Sequence, residues 1–289
     1  MADAITHGMV EQFHEDGFLF LPAYYDEDAI ERFRTEADRL LELVINASLA
    51  NDRTSGRLDL THGADGQSVR AINPSIDLSR VYKEIATEDL PPLIEPLLED
   101  EPVSIDITAQ LNYKQPLPEP IEGLDTRLAD DRFAVHADWP YYEGWLPEGI
   151  VTGIVFVDDC TAENGPIEVW PGTHEQDLPH EHTELGLAVP PAELDHDAGE
   201  PVLGPAGSVL LFDARLVHSS APNETGDPRR LAIYGHAPAS NVETPIEDGS
   251  ARPEATSRYP MELVESTYEH EYLRKKRAGE FEDRFVAPS

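Results

Sequence analysis

From about residue 102 to residue 238, the sequence is a series of short apolar runs separated by glycine, proline and asparagine. The runs are VSIDITAQLNYK, GIVTGIVFVDD, GPIEVWP, GSVLLFDARLVH and RLAIYGHAP. Each has the length of a β-strand, and turn residues at such intervals are typical of β-sandwiches and barrels. No helix-length segment separates the runs, which argues against a parallel sheet with helical crossovers. The pattern predicts an all-β core.

Helical patterns precede this core. Val10 and Phe13 lie three residues apart on a short predicted helix that Gly17 ends, and the run FLFL then predicts a short buried strand. A longer helix is predicted from about residue 29 to residue 49, capped by Asp26 or Asp28, because its apolar residues recur at the helical period. A further helix is predicted over about residues 79–98, interrupted at LPPL.

Residues 51–75 are polar and turn-rich, and THGADGQ within them is predicted as a loop. Residues 116–132 and 176–200 are also predicted as loops, and the tail YEHEYLRKKRAGEFEDRF as a charged helix. We therefore expect one domain over residues 1–289. It consists of a helical part at about 1–100, a β-core at about 101–240 and a charged C-terminal helix at about 255–289.

The charge balance restricts the partners. The chain has 57 acidic and 21 basic residues, a formal net charge of −36. Such a surface repels nucleic acid and anionic membranes, so we expect neither as a partner. We interpret the acidic excess as a solvated surface suited to high salt. The charge is equally compatible with a monomer and a homodimer.

The lone cysteine, Cys160, excludes an intramolecular disulfide and a cysteine-based zinc site, and it fits a reducing cytoplasm. The first 17 residues lack a basic start followed by an apolar stretch, so no secretory signal peptide is predicted. No apolar run approaches the roughly 20 residues of a membrane span.

The segment HADWPYYEGW contains a candidate metal-binding pair. His136 and Asp138 project from one face if FAVHAD is a strand. His218 is the candidate third ligand, because it ends an apolar run and precedes a turn. Two histidines and one carboxylate leave about three octahedral positions free, as in non-haem Fe(II) oxygenases. The alternative is a surface triplet and an unrelated structural histidine.

Arg229 lies eleven residues after His218, beyond the turn APNETGDP. A hairpin there would place the next strand alongside and its guanidinium deep in the same cavity. Arginine binds carboxylates with a bidentate fork, and Ser220 could share the face of His218 and donate a second hydrogen bond. This combination suits a small keto-diacid that chelates the metal at one end. The alternative is a solvent-facing turn arginine.

In these segments the chain resembles the phytanoyl-CoA dioxygenase (PhyH) family of Fe(II)/2-oxoglutarate-dependent oxygenases, and the resemblance covers most of the chain. The segments that carry it are EQFHEDGFLFLPAYYDEDAIERFRTEADRLLE, LNYKQP, HAD, ENGPIEVWPGTHE and VHSSAPNETGDPRRLAIYGH. They occur in the order and at the spacing typical of the family. The resemblance implies a double-stranded β-helix (a cupin-like jelly roll) with helices packed on one sheet.

The resemblance also implies the site residues. The implied Fe(II) ligands are His136, Asp138 and His218, and the implied 2-oxoglutarate clamp is Arg229 with Ser220. Asn112 and Lys114 align with the stretch that flanks the cosubstrate, Arg230 should point to the opposite face of its strand, and Ile154 occupies a position that is often aromatic. His174, in PGTHE, is implied to brace a turn rather than to bind metal.

The implied activity is hydroxylation of a small-molecule metabolite by O2, with release of succinate and CO2. A carboxylate at Asp138 favours hydroxylation over halogenation, whereas desaturation or ring closure by the same oxidant stay open. Trp139, Tyr141, Tyr142 and Trp145 are candidates for the cavity entrance, or for ordinary packing.

Two other classes of protein fit part of the pattern. One is a jelly-roll protein that binds a divalent metal without oxidative turnover, as a sensor or storage module. The other is a cupin-like metalloenzyme that does not use 2-oxoglutarate. Neither would need an arginine at position 229.

Overall fold

A computed structural model of the protein describes residues 5–63, 66–126, 131–142, 149–243 and 267–288. Two antiparallel β-sheets face each other as a jelly roll, and the long helix near the N-terminus packs on the outer face of the larger sheet. The predicted all-β core with flanking helices is therefore confirmed. That residues 1–289 form one domain stays a prediction.

The described strands fall into two sheets and one separate hairpin. They are β1 (Phe18–Leu21), β2 (Leu58–Gly63), β3 (Gly66–Ile72), β4 (Val103–Pro116), β5 (Phe133–His136), β6 (Val151–Phe156), β7 (Ile167–Val169), β8 (Glu181–Thr183), β9 (Gly186–Ala188), β10 (Glu200–Val202), β11 (Val209–Asp213), β12 (His218–Ser220) and β13 (Leu231–Pro238). The larger sheet has the order β1-β11-β6-β13-β4-β3-β2, and the smaller sheet the order β10-β7-β12-β5. β8 and β9 pair only with each other among the described strands.

Capping residues set the ends of the first two of the seven described α-helices. They are α1 (His7–Asp16), α2 (Glu27–Ala50), α3 (Arg80–Glu84), α4 (Pro91–Ile94), α5 (Trp139–Tyr142), α6 (Ala239–Glu243) and α7 (Thr267–Arg277). Gly17 ends α1 with a left-handed φ of 82°. The Asp26 side chain caps α2 by accepting a hydrogen bond from the Ala29 N–H at 3.0 Å. None of the described helices is both long enough and apolar enough to cross a bilayer.

The central strands read as apolar runs because both of their faces are covered. Along β6, Val155 belongs to the core formed with α2, whereas Ile154 faces the smaller sheet. Leu211 and Phe212 on β11 divide between the same two cores. A strand buried on both faces has no polar side to alternate with, so its sequence is continuously apolar.

Several predicted loops contain regular structure. The prediction of THGADGQ as a loop is wrong for its described residues, because they belong to β2 and β3, which form a hairpin that extends the larger sheet. Leu58, Leu60 and Val69 are buried in the core beneath α2, and the polar residues between them mask that pattern. Residues 176–200, also predicted as a loop, contain β8 and β9.

The two remaining helical predictions are only partly right. The helix predicted at about 79–98 is split into α3, a π-helical turn at Ile85–Asp89, α4 and a 3-10 turn at Glu95–Leu98. Pro91 lacks the N–H needed to continue a helix, which explains the break. The charged C-terminal helix exists as α7, and the part predicted at 255–266 lies outside the described residues.

Candidate metal centre and its cavity

Three potential ligand side chains meet at one end of the smaller sheet. His136 is the last residue of β5, Asp138 follows two residues later, and His218 pairs across the sheet with His136. His218 was expected at the end of a long strand, but it is the first residue of β12. The run breaks because Asp213 ends β11 in a turn, where its carboxylate accepts a hydrogen bond from the Arg215 N–H at 2.8 Å.

The geometry of these three side chains suits a single metal ion. Their ligand atoms all lie within 4.8 Å of one another. Oδ1 of Asp138 is 3.6 Å from Nε2 of His136 and 3.7 Å from Nε2 of His218. Each imidazole donates its Nδ1–H to the carbonyl two residues earlier, at 2.7 Å for His136 and 3.0 Å for His218. These bonds fix the tautomer and leave both Nε2 lone pairs directed at the shared centre.

The protonation states also suit metal binding. Burial, reinforced by the neighbouring His136, lowers the pKa of His218 to about 4. Burial would raise the pKa of Asp138, but His218, His136 and a hydrogen bond from Thr152 outweigh burial and lower that pKa to about 2. At neutral pH, His218 is neutral and Asp138 is ionised, which are the forms that coordinate metals.

A cavity of about 410 Å³ opens beside the three ligands. It is lined by Arg70, Asn73, Gln110, Asn112, Phe133, Ala134, His136, Asp138, Tyr141, Tyr142, Thr152, Ile154, Ile167, Leu185, Leu187, Phe212, His218, Ser219, Ser220, Arg229, Leu231 and Ile233. The three candidate ligands from the smaller sheet and polar side chains from the larger sheet therefore share one chamber.

Arg229 lines this cavity and is only 1% exposed. Within the described part of the chain, none of its three guanidinium nitrogens has a hydrogen-bond partner. Burial lowers its pKa, yet an arginine stays charged in a protein. Asp131 and Asp158 attract this cation but do not hydrogen-bond to it. Buried N–H groups without acceptors are costly, so the site is suited to an anion that accepts those hydrogen bonds.

Arg229 reaches the cavity by a route that differs from the predicted one. β12 pairs with β5 and β7, whereas β13, which follows Arg229, pairs with β4 and β6 in the larger sheet. The expected hairpin pairing of these two strands is therefore wrong. The connection crosses between the sheets, so Arg229 faces His218 across the barrel interior rather than along one sheet.

Ser220, Asn112 and Lys114 lie close to this chamber in different ways. Ser220 and Asn112 line it, and Oδ1 of Asn112 is a buried acceptor without a hydrogen-bond partner among the described residues. Lys114 is fully buried, and its ammonium donates to the main-chain carbonyls of Ser220, at 3.3 Å, and Ala221. In this structure Lys114 thus fastens the segment after β12, and a contact with cosubstrate stays a prediction.

The neighbouring candidates take structural positions. Arg230 turns away from the cavity and binds the carboxylates of Asp158 and Asp38. His174 contacts the carbonyl of His14 at 3.1 Å and braces the turn after α1. The predictions that Arg230 points to the other face and that His174 braces a turn are confirmed.

The aromatic segment after Asp138 divides between two surfaces. Tyr141 and Tyr142 line the cavity. Trp139 instead packs beneath the Arg215 guanidinium, whose Cζ lies 4.6 Å from the centre of the Trp139 ring. Trp145 lies outside the described residues.

Sequence reasoning missed five polar side chains of the cavity, which are Arg70, Asn73, Gln110, Thr152 and Ser219. Gln110 could have been found, because it alternates with Asn112 along β4. Arg70 sits where the β2–β3 and β3–β4 registers shift, so its direction depends on a bulge that the sequence does not reveal. Thr152 lies in an otherwise apolar run, and nothing local marks it.

Comparison with known proteins places this geometry in context. The family model described as phytanoyl-CoA dioxygenase (PhyH) matches residues 13–231. The chain is 26% identical over 277 residues to the ectoine dioxygenase of Halomonas elongata, covering 89% of this chain and 78% of that protein. It is 22% identical over 237 residues to a probable alpha-ketoglutarate-dependent hypophosphite dioxygenase of Stutzerimonas stutzeri, covering 79% of this chain and 77% of that protein.

A solved structure is similar over nearly the whole chain. The crystal structure of EctD from S. alaskensis with 2-oxoglutarate and 5-hydroxyectoine superposes with a TM-score of 0.62 at 25% identity, covering 91% of each chain. The fold is therefore shared with a protein whose structure contains 2-oxoglutarate.

Proposed function

The chain belongs to the phytanoyl-CoA dioxygenase (PhyH) family, and from that membership and the cavity we propose that it is a non-haem Fe(II)- and 2-oxoglutarate-dependent dioxygenase. It hydroxylates a small-molecule metabolite and releases succinate and CO2. Family membership favours this activity over a metal-binding protein without turnover and over a cupin-like enzyme that does not use 2-oxoglutarate.

One observation carries the assignment of the site. A buried guanidinium without a partner, that of Arg229, shares a chamber with two imidazoles and a carboxylate whose ligand atoms lie within 4.8 Å of one another. A metal ion alone would explain the three ligands but leave Arg229 unpaired. A dicarboxylate that chelates the metal at one end and meets Arg229 at the other explains all four side chains.

The residues present fit both groups. His136, Asp138 and His218 would hold Fe(II), the donor set of non-haem oxygenases. Arg229 would bind the distal carboxylate of 2-oxoglutarate, assisted by Ser220 and by the buried amide of Asn112. Bound together, iron and 2-oxoglutarate supply the O2-dependent oxidation, in which the cosubstrate is decarboxylated and the substrate is hydroxylated.

The chain itself orients these groups and excludes water. The two backbone carbonyls that receive the imidazole N–H groups fix the direction of the Nε2 lone pairs. Part of the cavity wall is apolar and is formed by Ile154, Phe212 and Leu231. Such a wall keeps the oxidising centre dry and strengthens the electrostatic hold of Arg229 on its anion.

The size of the cavity supports a small substrate. About 410 Å³ is near the lower end of the roughly 300–1,000 Å³ range of ligand pockets. Cosubstrate and substrate must share this volume, so a compact metabolite fits better than a long acyl chain.

Anaerobic addition of Fe(II) and then 2-oxoglutarate tests the proposal. We expect a weak visible charge-transfer band that requires both additions, followed on exposure to O2 by iron-dependent succinate release. His218→Ala should abolish both signals, and His174→Ala, altered outside the cavity, serves as the matched histidine control. Wild-type protein that binds Fe(II) but gives neither band nor succinate would contradict the proposal.

A further inference from the structure

Thr152, which is not itself a candidate metal ligand, hydrogen-bonds to the candidate ligand Asp138. It lies on β6, a strand hydrogen-bonded on both sides, by β11 and β13, and it is 0% exposed. Its hydroxyl donates a hydrogen bond to Oδ2 of Asp138 at 2.8 Å. The other carboxylate oxygen, Oδ1, is the one that faces the Nε2 atoms of both histidines.

The contact distinguishes the two oxygens of one carboxylate. A carboxylate can bind a metal ion through one oxygen or through both, and a threonine hydroxyl has a single hydrogen to donate. Because the Thr152 hydroxyl donates its hydrogen to Oδ2, one lone pair of Oδ2 is occupied by that hydrogen bond, and the bond holds Oδ2 in place. Oδ1 is left as the oxygen that faces the two imidazoles.

The flanking amides anchor the backbone of Asp138, but they do not set the direction of its side chain. The Ala137 N–H donates to Nε2 of His180, and the Trp139 N–H donates to the Ala214 carbonyl. Asp138 lies beyond the end of β5, so no strand pairing holds its backbone. Thr152 lies on a central strand of the larger sheet, and its backbone is fixed by partners in β11 and β13. The hydrogen bond therefore ties a ligand on an irregular segment to a rigid element across the cavity.

We propose that Thr152 is a positioning residue that holds Asp138 to the metal through Oδ1 alone. This inference rests on the proposed metal site. Holding the carboxylate in place before metal arrives raises metal affinity, because less side-chain freedom is lost on binding. One-oxygen binding also keeps a coordination position free that a two-oxygen carboxylate would occupy.

Co(II) binding to the metal-free protein, measured by calorimetry, tests this role without requiring turnover. Thr152→Val keeps the shape of the side chain and removes the hydroxyl, and we expect it to weaken Co(II) binding about 10- to 100-fold. Thr152→Ser keeps the hydroxyl and should bind Co(II) close to the wild-type level. Melting of the metal-free variants separates loss of metal affinity from loss of fold.

The effect must act through Asp138. In an Asp138→Ala background, Thr152→Val should no longer change the Co(II) affinity of the remaining two-histidine site. Equal weakening in both backgrounds, or equal weakening by Ser and Val, would overturn the inference, as would a folded Thr152→Val protein with wild-type affinity. If Thr152→Val does not fold, Thr152→Ala is measured instead in the wild-type and Asp138→Ala backgrounds, and the same comparison of Co(II) affinities decides the role of Thr152. Wild-type protein that binds no Co(II) would overturn the proposed metal site as well, which distinguishes the two failures.

Discussion

Arg229 and Arg230 are neighbours in the chain, yet their guanidinium groups lie on opposite sides of the larger sheet in opposite electrostatic settings. Arg230 donates to Asp158 from Nε at 2.7 Å and from Nη2 at 3.0 Å, and to Asp38 from Nη1 at 2.6 Å. Burial would lower the pKa of Arg230, but these carboxylates outweigh burial and raise it. Arg229 has no such partner among the described residues. One arginine holds the fold together, and the other is available to a ligand.

Replacing Arg229 by leucine should separate binding from stability. The change removes a buried guanidinium that makes no hydrogen bond to the described residues, and it also takes a nearby cation away from buried Asp131, so we expect the metal-free protein to melt close to the wild-type temperature. Affinity for 2-oxoglutarate should fall by about 2–5 kcal/mol, since the distal carboxylate loses its buried partner. Calorimetry with the Ni(II)-loaded protein measures the affinity. Unchanged binding of 2-oxoglutarate would contradict the assignment of Arg229.

Replacing Arg230 by methionine should have the reverse effect. Asp158 would keep only one cationic partner, the partly exposed Arg34, whose Nε donates to Oδ1 at 3.1 Å, and it would lose its two bonds from the Arg230 side chain. We therefore expect a loss of about 1.5–3 kcal/mol of unfolding free energy. Urea unfolding monitored by circular dichroism measures this loss. The fraction that remains folded should bind 2-oxoglutarate as tightly as the wild type, and an intact stability would show that the ion pairs contribute nothing.

Metal should stabilise the protein through the three proposed ligands. At a free Ni(II) concentration of a hundred times Kd, we expect the unfolding free energy to rise by about 2.7 kcal/mol. His136→Ala and His218→Ala should lose this increase, and removal of metal by a chelator should reverse it in the wild type. His174→Ala is the matched control, because His174 lies on the turn after α1. Equal stabilisation of all variants would place the metal elsewhere.

His236 should make stability depend on pH. Burial lowers its pKa to about 4, and its Nε2 donates to the Ala86 carbonyl at 2.8 Å. Between pH 4 and an unfolded pKa of about 6.5, the unfolded chain binds a proton that the folded chain does not, so stability falls as pH falls through this window.

His236→Gln keeps a donor for Ala86 and cannot titrate. From pH 7.5 to pH 5, the wild type should therefore lose about 2 kcal/mol more unfolding free energy than the variant. Urea titrations at the two pH values measure the difference. Parallel losses in both proteins would assign the pH dependence to other groups.

Tyr141 should hold the β8–β9 hairpin over the cavity. Its hydroxyl, on a side chain that is 48% exposed, accepts a hydrogen bond from the Leu187 N–H at 2.9 Å. Leu185 and Leu187 of this hairpin segment line the cavity. Tyr141→Phe removes the acceptor, at a cost of about 1 kcal/mol, so the Leu187 amide should exchange its hydrogen about fivefold faster. Amides of β11 serve as the internal control, and unchanged exchange at Leu187 would show that the bond holds nothing in place.

The chain encodes much of this protein in local patterns. Strand-length apolar runs predict the β-core, Gly17 and Asp26 mark helix ends, and the two-residue spacing of His136 and Asp138 places both side chains at one site. These features depend only on the periodicity of the backbone and on the conformational preferences of single residues, so neighbours in sequence suffice to predict them.

Tertiary structure decided the rest. Strand pairing places His218 opposite His136. Arg229 enters from the other sheet, and Thr152 meets Asp138 across the cavity, because the two sheets face each other. Strand pairing depends on burying both faces of the larger sheet, one against α2 and the other against the smaller sheet. The free energy of that burial is a sum over the whole core. No single segment contains that sum. For this reason the sequence alone indicated the candidate site residues but not how the two sheets bring them together.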